Sequence, residues 1–171
     1  TEGIVGIIIP EPEQEPEQEK EQEKEQEKDV DLTDAITLSN KIDNTGKTNV
    51  TNDIEKEMTN AVKQDRVLII PKGTYLVSEL EIPANAKIHC ADGSKFLRVI
   101  ETSANGFRGA IGIYENNITI TGTLTVDGQG TKQILKDTEA LPNVFIYNAN
   151  DLYVEEIHSY NSYSDGIQIS G

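Results

Sequence analysis

Tryptophan is absent and aromatic residues make up only 5% of this 171-residue chain. Any core must therefore be built mainly from aliphatic side chains. A single cysteine, Cys90, excludes an intrachain disulfide. That fits a cytosolic protein and also many secreted ones, and Cys90 itself reads as a small buried hydrophobe in a strand. No run approaches the roughly 20 apolar residues of a membrane-spanning helix. Gly3 to Ile9 is apolar but short. It reads either as the tail of a removed export segment or as a sticky end, and a chain opening on Thr1 rather than Met fits processing or truncation. Cations are also scarce, since 15 Lys and Arg stand against 30 Asp and Glu, for a net charge of −15. Nothing here points to a nucleic-acid partner, because phosphate binding needs a basic face. An anionic substrate would need local cations or a bound metal to overcome the field.

Much of the charge is local. Glu2 and the run Glu11 to Lys28 hold ten acids and three lysines, a net of −7, which leaves −8 for the rest. The run alternates Glu with Pro, Gln or Lys and contains no apolar residue, so it cannot bury a core. Pro12 and Pro16 favour extension, and Glu21–Lys24 and Glu25–Lys28 have helical spacing. Residues 1–30 are expected to form a disordered acidic linker, and residues 31–171 the N-terminal part of one domain, incomplete at its C-terminus.

Within that domain Asn52 to Gln64 is the best helix. Asn52 and Glu55 have capping-box spacing, and Ile54, Met58, Ala61 and Val62 share one face. From Arg66 onward the periodicity is that of strands: Val67 to Ile70, Thr74 to Val77, Leu80 to Ile82 and Lys87 to Cys90, with Pro71-Lys72-Gly73 and Asp92-Gly93 as turns. An internal repeat follows. Ile111-x-Ile113-Tyr114 matches Val144-x-Ile146-Tyr147, and Ile118-x-Ile120 matches Leu152-x-Val154. Gly128 to Pro142 is polar, unpatterned and the natural site of an insertion between the two units. Stacking such units buries a shared core, with Ile111, Ile113, Ile118, Ile120 and their partners inward. Asn116, Asn117, Asn148 and Asn150 fall between strands, where asparagine accepts left-handed backbone and can ladder along the stack. The competing architecture is an antiparallel sandwich with hairpins at Asn105-Gly106, Asp127-Gly128 and Asp165-Gly166. The in-register repeat favours an all-β solenoid, with the helix as a cap over its first turn.

The segment Gly46-Lys47-Thr48-Asn49-Val50-Thr51-Asn52-Asp53, then Ala61, then Val67-x-Ile69-x-Pro71-x-Gly73-Thr74-Tyr75, resembles the opening of pectin-lyase-like proteins. Asn117-Ile118-Thr119-Ile120-Thr121-Gly122, followed by Thr125-Val126-Asp127-Gly128-Gln129-Gly130, is similar to a segment of polygalacturonase-like hydrolases. The resemblance covers roughly residues 40 to 171. It implies a right-handed parallel β-helix, secreted or at the cell surface, acting on pectin-like or other acidic polysaccharide as a hydrolase or lyase. It brings no cofactor, except Ca²⁺ for a lyase that must neutralise a uronate. The same superfamily includes non-catalytic adhesins and phage tail-spike parts, which keep the fold without the chemistry.

Ser164-Asp165-Gly166-Ile167 is similar to the Asn-Thr-Asp-Gly-Ile segment that carries a catalytic Asp in polygalacturonase relatives, which makes Asp165 the catalytic candidate. Here Tyr163 and Ser164 replace Asn and Thr, and Gln168 stands where a further acid is common. An Asp-Gly turn that merely closes a strand is the reading of Asp165 that the residues favour, with catalysis or Ca²⁺ binding the alternative. His158, Tyr160 and Tyr163 are the substrate-binding candidates. His158 titrates in the range of a general base. Tyr147, Tyr153, Tyr160 and Tyr163 together suit a face on which sugar rings stack, or else rung-to-rung aromatic packing. Asp151 and Glu155 are expected to point outward with His158, or to belong to a solvated strand face. Asp127 and His89 read as structural. No metal-ligand pattern is present, and the sequence leaves the oligomeric state open. Limited proteolysis is expected to remove the tract Glu11 to Lys28 and leave a stable core beginning near residue 30. Protection of that tract in the isolated protein, read by mass spectrometry of the products, would contradict the linker reading.

Overall fold

In the computed structural model, residues 30–100, 108–134 and 141–171 are described. The acidic tract before residue 30 lies outside them, as does Asn105-Gly106. Within them the chain forms β1 (Ile36–Thr37), β2 (Thr45–Asn49), α1 (Thr51–Lys63), β3 (Leu68–Ile70), β4 (Gly73–Val77), β5 (Leu80–Glu81) and β6 (Lys87–Cys90). It continues through β7 (Ser94–Arg98), β8 (Ile111–Ile113), β9 (Ile118–Asp127), β10 (Val144–Tyr147), β11 (Leu152–Tyr160) and β12 (Ile167–Ser170). Every pairing between these strands is parallel. That rules out the antiparallel sandwich among the described residues. The result is a curled, mostly parallel β-sheet with one α-helix.

Side-chain alternation sorts the strands into stacked columns. Ile36, Leu68, Ile88, Ile120 and Val154 are partners in register along one face. Leu80, Ile111, Val144 and Ile167 are partners along another. On the third, Tyr75 stacks near Phe96, their ring centroids 6.0 Å apart, and Phe96 faces Val126. Ile111, Ile113, Ile118 and Ile120 are all buried, as the repeat predicts, and Val144 and Ile146 are their neighbours on the next turn. Val154, Ile167 and Ile169 point into the same columns but are less covered, because β11 and β12 each have a strand neighbour on one side only.

The turns between strands carry the punctuation. Asn85, Asn117 and Asn148 adopt left-handed backbone, and so does Asp151. Asn117 donates its amide to Asn85 at 2.8 Å, and the Asn150 backbone N–H donates to the Asn116 side chain at 2.8 Å, which gives the expected ladder. β9 is long because it crosses a corner: residues before the bend pair with β6 and residues after it with β7. The bend is Gly122, with φ of +69°, where a Cβ would lie 2.1 Å from the Cys90 carbonyl oxygen. No larger residue fits there. The two longer connections, between β7 and β8 and between β9 and β10, are tied together by Arg98. Its fully buried guanidinium donates to the carbonyls of Pro142 at 2.9 Å and Arg108 at 3.2 Å.

Helix α1 lays Ile54, Met58 and Ala61 on the interior of the first turn, packed against β3, β5 and β6. Its start differs from the expected capping box. The helix begins at Thr51, its N-cap is Val50 with no side-chain cap, and Asn52 is exposed. Asn49 takes over, its side-chain oxygen accepting from the Thr51 N–H at 3.1 Å and hydroxyl at 2.7 Å. The Thr51 hydroxyl also accepts from the Ser78 N–H, and Glu55 accepts from the Glu81 N–H. Contacts to a neighbouring corner therefore displace the local motif. Replacing Ile120 by Asp should abolish folding, since an unpaired charge there costs on the order of 5 kcal/mol or more, as much as a whole domain holds. Thr119→Asp, on the opposite side of the same strand, should lower the melting temperature only slightly. Equal damage in a thermal melt would show that the register is wrong.

Candidate functional site

The face best furnished for a ligand is the outer side of the sheet formed by β5, β8, β10 and β12. Alternation turns Ile111, Ile113, Val144 and Ile146 inward and leaves Gly112, Tyr114, Phe145, Tyr147 and Gln168 outward. Gly112 is a requirement of this face. A Cβ there would come within 2.6 Å of the Tyr114 ring, which lies back across the strand. Tyr114 meets Phe145 edge-on at 5.9 Å and 77°, and Phe145 meets Tyr147 at 6.0 Å and 38°. The three rings form one aromatic cluster, the floor of this face, in which Phe145 is buried, Tyr114 half-buried and Tyr147 exposed. Burial raises the Tyr114 phenol above its ordinary value, and the charges of Glu81 and Glu79 raise it further. Arg108, which is paired with Glu79, opposes them.

Asp165 stands at the head of β12, on the edge of this same sheet, and is exposed. Its turn is firmly held. The Asp165 carbonyl accepts from the Asn143 N–H at 3.1 Å and from the Ser162 hydroxyl. Asn143, fully buried, donates its amide to the Ser159 hydroxyl at 2.9 Å and the Tyr160 carbonyl at 2.7 Å. The Ser159 hydroxyl in turn donates to the Gly166 carbonyl at 3.0 Å. The Asp165 carboxylate itself has no hydrogen bond among the described residues, so a rigid backbone presents a free acid. Nothing in the sequence pattern singled out Asn143 as the anchor, because its partners come from a turn further along the chain.

His158 and Tyr160 lie elsewhere, on the outer side of the sheet that β9 and β11 share. Glu156, His158 and Tyr160 alternate on β11. The His158 Nε2 is 3.0 Å from Glu156 Oε1, and the Tyr160 hydroxyl is 3.4 Å from His158 Nδ1. Glu156 is the partner that sequence reasoning missed. Its signal was the Glu-x-His spacing on a strand, which puts both side chains on one face. The Thr123 hydroxyl donates to Glu156 at 2.6 Å and, with His158, holds that carboxyl below its usual range. Asp127, beside Tyr160 in register, is absorbed by its own turn, accepting from the Gln129 N–H at 3.1 Å and the Asn161 amide at 3.2 Å. Glu155 points away from His158 and pins the bend by accepting from the Gly122 N–H at 2.7 Å. Asp151 sits in a left-handed turn. His89 is within 3.0 Å of the Thr121 hydroxyl inside its sheet.

The four tyrosines do not form one face. Tyr147 is on β10, Tyr153 neighbours Thr119, Tyr160 neighbours Asp127, and Tyr163 lies in the turn before β12. Tyr153 and Tyr160 share β11 but lie on either side of the register shift between Val154 and Glu156, which falls at the bend of β9. Among the described residues no three His, Cys, Asp or Glu side chains gather as metal ligands would.

No family model matches the chain, and no curated protein matches it. A solved structure from Parabacteroides merdae, that of a candidate glycosyl hydrolase, matches with a TM-score of 0.55 and 16% identity, covering 80% of each chain. At that identity the likeness is one of fold.

Removing the Thr123 hydroxyl by Thr123→Val should raise the Glu156 carboxyl toward its ordinary value. The charged form is the one that Thr123 stabilises, so this contribution to stability is present above the ordinary carboxylate range and fades as the pH falls through the depressed value. Carbon-13 titration of the Glu156 carboxyl reads the change, and an unmoved midpoint would dismiss the hydrogen bond.

Proposed function

We propose that this chain folds as a right-handed parallel β-helix that acts on a polysaccharide outside the cell, with the outer face of the β5–β8–β10–β12 sheet as its glycan-binding surface. The observation that carries the reading is Asp165: an exposed carboxylate on a firmly held turn, at the head of the edge strand of the sheet that carries the aromatic rings. The fold likeness to a protein named as a candidate glycosyl hydrolase supports the same reading. So does the resemblance of Ser164-Asp165-Gly166-Ile167 to the polygalacturonase segment. In such a site Asp165 protonates the leaving glycosidic oxygen or activates water. Hydrolysis of this kind uses a second carboxylate, about 5 to 9.5 Å from the first according to mechanism. A lyase would need Ca²⁺ or another charge neutraliser beside the uronate.

A second reading is a non-catalytic glycan-binding module of the adhesin or tail-spike type. It is favoured by Gln168, an amide on the outward side of β12 where an acid would complete a pair with Asp165.

Asp165→Asn separates the two. In an enzyme it should lower kcat by two or more orders of magnitude while the fold survives. Reducing-end release and the absorbance of unsaturated uronate would be followed over pectin, alginate and neutral glycans. Unchanged turnover in Asp165→Asn would return that residue to a structural turn. Binding without turnover in both proteins would support the module.

A further inference from the structure

We infer that the aromatic floor takes a neutral polysaccharide chain and rejects polyuronates. This rests on the glycan-binding reading above and specifies its substrate class. The exposed Tyr147 ring offers the kind of surface that stacks on the C–H faces of pyranose rings, backed by the buried Phe145 and the half-buried Tyr114 of the neighbouring strand. Gly112 leaves the room that the Tyr114 ring occupies across the strand. Beside the floor, where Gln168 neighbours Phe145 in register, the Gln168 side-chain oxygen has no hydrogen-bond partner among the described residues.

The charges around the floor decide the sign of the ligand. A groove of about 410 Å³ beside Tyr114 is lined by Glu55, Glu81 and Glu115 and, among the described residues, by no lysine or arginine. A neighbouring groove carries Glu55, Glu79 and Glu81, again with no cation among the described residues. Glu81 is the register partner of Gly112, so its carboxylate borders the floor directly. The cation that acts on Tyr114 is Arg108, and its guanidinium is already engaged by Glu79. A uronate laid on these rings would bring its carboxylate toward acids beside which the described cation, Arg108, is already paired, within a protein of net charge −15. A neutral sugar meets no such penalty, and its hydroxyls can donate to the rim carboxylates.

The reaction class follows from the substrate. A neutral pyranose lacks the C5 carboxylate that acidifies the C5 hydrogen, so elimination has no route. Cleavage then proceeds by hydrolysis: the glycosidic C1–O bond breaks, water supplies hydroxide to C1, and a proton passes to the leaving oxygen.

The experiment is affinity gel electrophoresis of the whole chain over galactan, arabinan, xyloglucan, polygalacturonate and alginate at low salt. Retardation by at least one neutral glycan is expected, and it should exceed that by either polyuronate. Tyr147→Ala, at an exposed ring, should weaken the neutral interaction about tenfold, while Tyr147→Phe should retain it. Circular dichroism confirms that both variants fold. Glu79→Gln with Glu81→Gln should raise the affinity for polygalacturonate. Stronger binding to a polyuronate than to every neutral glycan would overturn the charge argument and leave the glycan reading intact. Undiminished neutral binding in Tyr147→Ala would overturn the placement on this floor. No binding to any glycan would overturn the glycan reading itself.

Discussion

Everything in this molecule depends on one constraint: the aliphatic columns must stay in register from turn to turn. Leu68, Ile88 and Ile120 sit above one another because a strand alternates its side chains with a period of two. A slip of one residue would exchange Ile120 for Thr119 and empty the core of its contents. Extra residues can therefore enter only where they leave the register untouched. Both long connections do so, leaving after β7 and after β9 and returning at β8 and β10. They emerge at one corner, at the head of the sheet that carries the aromatic floor and Asp165. Core packing thus determines where the chain is free to vary, and the candidate site lies at that freedom.

Much of this architecture is legible in the sequence because it is local or periodic. The match of Ile111 and Ile113 with Val144 and Ile146 gives the register directly, and the asparagines between strands give the turns. What was not legible depends on contacts between distant residues. The helix start is an example: Asn52 and Glu55 satisfy a local motif, but Asn49 and Ser78 offer better partners in space. The tyrosines are another, since Tyr153 and Tyr160 look equivalent on a line but lie on either side of the shift at Val154–Glu156.

The site shows the same division. Asp165 stood out through its neighbours in sequence, and it does stand exposed on a fixed turn. Its anchoring through Asn143 and Ser159 required the turns to be stacked first. The acid rim was harder still to foresee. Glu55 lies on the helix, Glu81 on β5 and Glu115 after β8, and no spacing along the chain announces that they line one groove.

Cys90 closes one of the buried columns beside the Gly122 bend. Its side chain is almost wholly enclosed, and burial pushes its thiol up to about 12. Only the thiolate attacks electrophiles or is readily oxidised. While the stack is closed this sulfur is chemically silent. Any adduct found on it would be a record that the neighbouring turns had come apart, so the fold carries at its centre a marker of its own opening.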